Sequence, residues 1–419
     1  MTNDNKKYIP ALRFPEFQND GEWSTDTMET IFDIKNGYTP SKSNPSFWDN
    51  GTIPWFRMED IRKNGQILSD SIQHVTPAAV KNAGLFPAYS IIVATTATIG
   101  EHALIIVDSL ANQQFTFLTK RKSFENKLDM MYFHYFMFIV DEWCKKNTNA
   151  GGLLSVNMDS FKKLTIPYPS SLSEQKKIAD CFVSIDKEID ATKCKLEQLK
   201  EHKKGLMQKL FPVKGKTLPE LRFPEFQNDG EWQTVSLGEI TSIVNRRNKS
   251  NRSLPIYSIN NTDGFVPQSQ QFAGMNSEAR GYDISAYKII GKHTFAYNPA
   301  RINVGSIGYS GELKDILISS LYVCFKTTDN MDDNFLMCVF NSYIFNQAVE
   351  SNVEGGIRSY LFYENFSRIN IAIPSLYEQK RIASCITSIE DMIKKTYEQI
   401  SLLETHKKGL LQQLFPMIK

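Results

Sequence analysis

Two long stretches of the chain place apolar residues at a spacing that alternates four and three. The first, over residues 173–210, runs Ile178, Phe182, Ile185, Ile189, Thr192, Leu196, Leu199, Lys203, Leu206 and Leu210. The second runs Ile382, Ile386, Ile389, Ile393, Thr396, Ile400, Leu403, Lys407, Leu410 and Leu414. A period of about 3.5 residues is the seam of a coiled coil and predicts two long helices. Each follows a Pro/Ser segment (PYPSSLSEQ, IPSLYEQ), contains no internal proline and stops before Phe-Pro, which cannot continue a helix. At about 1.5 Å per residue each extends roughly 57 Å. Both seams are interrupted at matching places, by Thr192 and Thr396 near the middle and by Lys203 and Lys407 near the end. Antiparallel pairing brings the threonines together as a polar pair that sets register, and puts the flanking domains at opposite ends. Parallel pairing would crowd both at one end. The lysines can extend their amines past the apolar stems to water. The plainer alternative is that each helix packs only on its own domain.

Outside these stretches the pattern shortens. TIPWFRM, YSIIVATTATIG, LPIYSI, HTFAYN and ILISSLYVCF are β-branched or aromatic runs that read as strands. MMYFHYFMFIVDEWCKK and NFLMCVFNSYIFNQAVES each read as one helix. The segments between them are rich in Asn, Ser, Thr, Gln and Gly.

The chain is written twice. LRFPEFQNDGEW stands at 12–23 and again at 221–232. SLSEQKKIADCFVSIDKEIDATKCKLEQLKEHKKGLMQKLFP at 171–212 has its partner in SLYEQKRIASCITSIEDMIKKTYEQISLLETHKKGLLQQLFP at 375–416. Between these flags the halves diverge, with Ile99-Gly100 answering Ile307-Gly308, Gly151-Gly152 answering Gly355-Gly356, and Phe161 answering Phe366. Segments kept alike imply a shared job, scaffolding or docking of identical partners. Segments that diverge inside one frame imply the same job on different targets. The resulting division is a tail (1–23), a variable domain (24–170), a spacer helix (171–212), a linker carrying the repeated tail (213–232), a second variable domain (233–374) and a distal helix (375–419). The fold class that follows is α+β, with two α/β domains of curved, partly barrel-like sheet, separated by two long antiparallel coiled-coil helices under an internal pseudo-two-fold repeat.

Composition narrows the function. A length of 419 residues suits about three domains, and 41% hydrophobic residues can fill their cores. No run of 18 apolar residues appears, so no membrane span is expected. The N-terminus MTNDNKKYIP lacks a signal-peptide core. Six cysteines without a CxxC pair argue against disulfides and zinc, and for a reducing, cytoplasmic setting. No GxxxxGK[ST] loop, Gly-rich cofactor turn or HExxH pair is present, so no catalytic residue, metal or cofactor is expected. Asn44-Pro45-Ser46-Phe47 is similar to the Asn-Pro-Pro-Tyr/Phe loop of adenine methyltransferases, but it lacks the second proline and any cofactor loop upstream.

With a net charge of only +2, binding to nucleic acid requires the positive charge to be gathered on one face. The first domain offers Lys42, Asn44, Arg57, Arg62 and Lys63, within a loop that also holds Thr39, Ser41 and Ser43. The second offers the RRNKSNR run, with Arg246, Arg247, Lys249 and Arg252 and no intervening acid, together with Arg301, Asn303 and Arg358. Arg and Lys neutralise phosphates, while Arg, Asn and Gln make paired hydrogen bonds to purine edges. A solvated loop is the plain alternative for any one of them. The paired glycines before Ser155 and Ser359 suit either close backbone approach to a phosphate or a simple turn.

The stretch GYTPSKSNPSFWDNGTIPWFRMEDI, the later ATTATIGEHALI, and the double glycine followed by SLxEQKxIA before each helix together resemble the specificity subunit of type I restriction–modification systems. The resemblance covers essentially the whole chain. It implies that each variable domain reads one half of a split double-stranded DNA target and that the helices act as spacer. It further implies two methyltransferase subunits that methylate adenine at N6, and ATP-driven restriction and translocase subunits, as partners. The second domain departs from the pattern, with LPIYSINNTDGF in place of the TIPWFR stretch. Two other readings stay open: a single-chain DNA methyltransferase or nuclease with a cryptic site, which S-adenosylmethionine titration would reveal, and a two-headed coiled-coil adaptor for proteins, which would show no salt-dependent DNA shift.

Overall fold

The computed structural model describes residues 8–81, 84–149, 154–261, 264–271, 274–352 and 360–418. The chain divides into two compact units, residues 1–192 with 399–419, and residues 193–398.

In chain order the first half supplies β1 (Ser24–Thr27), α1 (Met28–Ile31), β2 (Phe32–Asn36), β3 (Ile53–Phe56), α2 (Met58–Asn64), β4 (Ile67–Leu68), β5 (His74–Val75), β6 (Ser90–Ala94), β7 (His102–Ile105), β8 (Leu110–Ala111), β9 (Phe115–Lys120), α3 (Met130–Lys146), α4 (Met158–Lys162), β10 (Thr165–Tyr168) and the long α5 (Leu172–Lys209). The second supplies β11 (Gln233–Ser236), α6 (Leu237–Ile240), β12 (Thr241–Ile243), β13 (Ile256–Asn260), β14 (Gly264–Pro267), α7 (Gln268–Gln271), β15 (Lys288–Ile290), β16 (Phe295–Tyr297), β17 (Ile307–Tyr309), β18 (Ile316–Ile318), β19 (Val323–Thr327), α8 (Asp333–Phe340), α9 (Tyr343–Asn352), α10 (Tyr363–Ser367), β20 (Asn370–Ile373) and the long α11 (Leu376–Leu414).

The head of the first unit has a five-stranded sheet in the order β2-β9-β6-β7-β4, a three-stranded sheet β5-β3-β8 and a ribbon β1-β10. The head of the second has β12-β19-β16-β17, β14-β13-β18-β15 and the ribbon β11-β20. The departure of LPIYSI from TIPWFR leaves one parallel strand pair in place, although the sheets divide five and three in the first head and four and four in the second. β3 runs parallel to β8, with Trp55 beside Leu110 and Phe56 beside Ala111. β13 takes the same place beside β18, with Ile256 beside Leu317 and Tyr257 beside Ile318. Strand register does correct one internal match. Ala103 stands opposite Ile92 and Gly308 opposite Ala296, so Gly308 answers Ala103, and Ile99-Gly100 belongs to the turn before β7.

The long helices form at the expected places, and their ends complete the cores of both units. In the first unit Ile178, Ala179 and Phe182 of α5 pack with Leu411 and Leu414 of α11 and with Phe415 beyond it, on the aromatic face of α3. Phe415 stacks on Phe182 at 5.7 Å between ring centroids. In the second unit Leu206 and Met207 of α5, with Leu210 and Phe211 beyond it, share a core with Ile382, Ala383 and Ile386 of α11. Within each unit the helices run antiparallel. Asp186 meets Lys407 at 2.6 Å, four residues after Phe182 and eight before Phe415. In the other unit Lys203 meets Glu390 at 2.6 Å and the Lys200 amine lies 5.0 Å from the Tyr397 ring. The lysines of the seam therefore form ion pairs with the facing helix rather than simply reaching water. Thr192 donates to the carbonyl of Glu188 and Thr396 to that of Met392, each at 2.7 Å, so both hydroxyl protons are spent inside their own helices.

Two further expectations fail for local reasons. NFLMCVFNSYIFNQAVES forms two helices, because α8 ends at Asn341 and the Ser342 hydroxyl caps α9 by accepting from Phe345 N–H at 3.3 Å. ILISSLYVCF forms two strands, β18 and β19, with a turn over Ser319–Tyr322 closed by a Tyr322 N–H bond to the Ser319 carbonyl at 3.2 Å.

Candidate nucleic-acid interface

The duplicated sequence flags form one repeated staple. Arg13, from the first tail, donates to both oxygens of Glu174 at 2.7 Å, and Arg222, from the second, to both of Glu378 at 2.8 and 2.7 Å. Each arginine also donates to two carbonyls of its own tail, those of Asp20 and Gly21 or of Asp229 and Gly230. The glutamate side chains are only 1% exposed, so the carboxylates are buried and need these partners. Each arginine is held protonated above its usual range, chiefly by its hydrogen bonds to the glutamate. The next residue repeats the pattern. The Gln175 amide accepts from Asp129 N–H at 2.7 Å and donates to the Lys127 and Pro169 carbonyls. Gln379 does the same with Asp332 N–H and the Asn330 and Pro374 carbonyls. The Glu-Gln of each SLxEQ motif thus ties tail, head and long helix together. What the halves share is scaffold, and what differs is carried on it.

The structure sorts the residues expected to touch DNA. Lys42 is exposed, whereas the Asn44 side-chain oxygen accepts from Ser46 N–H at 3.2 Å and caps a short helical turn. That turn is the Asn-Pro-Ser-Phe segment, and its asparagine serves the backbone. Arg57 precedes α2, bonds Glu59 at 3.0 Å, and has a buried Nε with no hydrogen-bond partner. Arg62 and Lys63 are exposed on the last turn of α2. In the second unit the RRNKSNR run folds back on buried Asn248, whose side chain accepts from Arg252 N–H at 2.8 Å and donates to its carbonyl at 3.0 Å. The run contains no acid, but the fold supplies one: Asp315 pairs with Arg246 at 3.4 Å and Arg252 at 3.3 Å. Arg247 and Lys249 are exposed and have no ion pair among the described residues. Arg301 and Asn303 lie exposed in the turn between β16 and β17. β16 ends at Tyr297 opposite Val323, so the turn that carries Arg301 lies at the same sheet end as the turn before β19. Arg358 and both glycine pairs lie outside the described residues.

Sequence reading missed the turns that gather at one end of each head. In the first, Asn112 N–H bonds the Phe56 carbonyl at 3.0 Å, Thr95 N–H the Gln114 carbonyl at 3.2 Å, and Val156 N–H the Thr95 carbonyl at 2.9 Å. Thr39 reaches Gln113 through its hydroxyl. Segments far apart in sequence thus meet beside Arg57, and hydrophobic patterning carries no signal for polar turn tips.

A pair with catalytic appearance is structural. His102 shares a proton with Asp141 at 2.8 Å and donates from its other nitrogen to the His134 carbonyl at 3.0 Å, with no exposed surface. Both nitrogens are engaged in pinning β7 to α3. No group of three potential metal ligands occurs among the described residues, nor any helix long and apolar enough to cross a membrane. All six cysteines are free.

Comparison with known proteins gives a consistent result. The family model described as "Type I restriction modification DNA specificity domain" matches twice, at residues 20–201 and 229–404. The EcoprrI specificity subunit of Escherichia coli is 49% identical over 152 residues, 36% of this chain and 38% of that protein's length. The MjaIX specificity subunit of Methanocaldococcus jannaschii is 23% identical over 413 residues, 94% of this chain and 92% of that one. The crystal structure of a type I restriction–modification S subunit from M. genitalium shares the fold with a TM-score of 0.57 at 16% identity, covering 97% of this chain and 99% of the other.

Proposed function

Because the chain belongs to the type I restriction modification DNA specificity family, we propose that it is the DNA-recognition subunit of such a complex, reading a split, asymmetric duplex target with one head per half-site. The chemistry of methylation and cleavage resides in partner subunits that act in the cytoplasm. The observation that carries this reading is the repeated staple. Arg13–Glu174–Gln175 and Arg222–Glu378–Gln379 hold two heads in the same way, while the exposed cations differ from head to head. One scaffold presenting two different polar surfaces suits two different DNA half-sites. Because the shared scaffold occurs twice, it docks two methyltransferase subunits per chain, and restriction/translocase subunits join that assembly. The long helices set the number of base pairs between the half-sites.

Division into the tail, head and helix segments drawn from the sequence belongs to the same proposal. Phosphate contacts fall to Lys42, Arg57, Arg62 and Lys63 in the first head and to Arg247, Lys249 and Arg301 in the second, with Arg246 and Arg252 partly held by Asp315. Asn303 and Arg358 belong to the same set of proposed DNA contacts, on the chemistry of their side chains alone.

A salt titration of DNA binding by the purified chain tests this. Affinity should fall steeply with salt, and S-adenosylmethionine should show no saturable binding to the chain alone. Binding that ignores salt, or methylation by the chain without partners, contradicts the proposal.

A further inference from the structure

The proposal that the heads read DNA leaves open which atoms read bases, and the turn entering the second strand of each main sheet narrows the choice. These turns are β8–β9 in the first head and β18–β19 in the second. By strand register they occupy the same place, since Phe117 faces Ile92 as Cys324 faces Ala296. They are locked in the same way by different residues. In the first, the Asn112 side-chain oxygen accepts from Gln114 N–H at 3.1 Å, and Phe115 N–H bonds the Asn112 carbonyl at 3.2 Å. In the second, the Ser319 hydroxyl accepts from Leu321 N–H at 3.4 Å, and Tyr322 N–H bonds the Ser319 carbonyl at 3.2 Å. The frame is identical and the tips are not.

In the first turn Asn112 and Gln114 also bond each other through their side chains at 3.2 Å, which leaves Gln113 as the exposed amide, its oxygen accepting from the Thr39 hydroxyl with a lone pair and both amide hydrogens still open. In the second, the outward side chain is one place further on: Leu321, whose N–H takes the place of Gln114 N–H, is 76% exposed, an unusual position for a large apolar side chain at a strand end. A cation of unrelated origin stands at the same end as each turn: Arg57 directly follows Phe56, whose carbonyl holds Asn112, and Arg301 follows the end of β16, where Tyr297 faces Val323 at the start of β19. A cation for the phosphate beside a tip of changeable chemistry is the division of labour that DNA recognition requires, one to position and one to specify.

Resting on the reading of the heads as DNA-binding, we propose that these two turns are matched base-reading elements. Gln113 makes paired hydrogen bonds to the major-groove edge of an adenine in one half-site, and Leu321 packs on a thymine methyl in the other. Both pairings follow from the groove's pattern of donors, acceptors and methyl groups.

The test is selection of bound sequences from a randomised duplex pool by the full-length chain and its variants, with thermal unfolding as a check on folding. Gln113→Ala should lose about tenfold or more of its discrimination at one base pair of one half-site and leave the other half-site unchanged. Gln113→Arg should move the preference there from adenine to guanine. Leu321→Ala should relax one position in the opposite half-site. Folded Gln113 variants that select the wild-type motif, or that lose affinity uniformly over all sequences, overturn the assignment while leaving the heads as DNA readers. A wild-type chain that selects no motif overturns the underlying reading as well.

Discussion

Replacing Arg13 with alanine removes the guanidinium that serves both oxygens of Glu174, whose side chain is 1% exposed. The carboxylate is left buried with one donor, the Trp23 indole N–H at 3.3 Å. The carbonyls of Asp20 and Gly21 lose a partner as well. Breaking a buried pair from one side costs about 3–5 kcal/mol, because the remaining charge is uncompensated. Removing both charges, in Arg13→Met with Glu174→Gln, should recover much of that, with a coupling of roughly 2 kcal/mol between the sites. A single melting temperature is a poor measure for a chain of two units. Native-state hydrogen exchange read by mass spectrometry resolves them. Peptides covering residues 12–23 and 172–182 should exchange at least about 100-fold faster in the alanine variant, since each 1.4 kcal/mol is about tenfold. Peptides covering 221–232 and 376–386 should be unaffected, and Arg222→Ala should reverse the pattern. Acceleration below about fivefold, or equal acceleration in both sets, would refute the claim that each flag staples its own unit.

Replacing Arg247 and Lys249 with alanine should flatten the salt dependence of DNA binding by roughly one unit for each phosphate no longer neutralised, whereas Asp315→Asn, by freeing Arg246 and Arg252, should steepen it. Lys407→Glu sets two acids against each other at Asp186 and should destabilise the first unit by about 1 kcal/mol, with Asp186→Lys in the same chain restoring it; unfolding measured for all four chains checks this. His134 is fully buried beside the His102 ring and within reach of the Lys407 charge, and burial holds its pKa well below the usual value. Its neutral form therefore contributes stability that is complete above about pH 6.5 and is lost as the pH falls toward the depressed folded value, at up to about 1.4 kcal/mol per pH unit. His134→Phe should flatten that slope in denaturant titrations between pH 6.5 and 5.

The long helices were legible because nothing interrupts their spacing of four and three from Ile178 to Leu210 or from Ile382 to Leu414. The repeat was legible from identical flags, although the reason those flags are alike required three dimensions: Arg13 and Glu174 lie 161 residues apart. Periodicity failed where apolar residues run on through a break. Ser342 ends one helix and starts another inside an apolar run, and Ser319–Tyr322 turns between two strands that read as one. The serines were the local signal in both cases. Charge reading failed at Asp315, an acid 69 residues from Arg246 in sequence and bonded to it in space. Polar turn tips such as Gln113 carry no pattern at all, and only the strands that hold them mark them out.

The central claim, that two heads on one scaffold read two separate half-sites, is tested most directly by sequencing the duplexes that the full-length chain selects from a random pool. The account predicts a motif of two specified blocks, different from each other and divided by an unspecified spacer of fixed length. One contiguous block, two blocks at variable spacing, or no enriched sequence would contradict it.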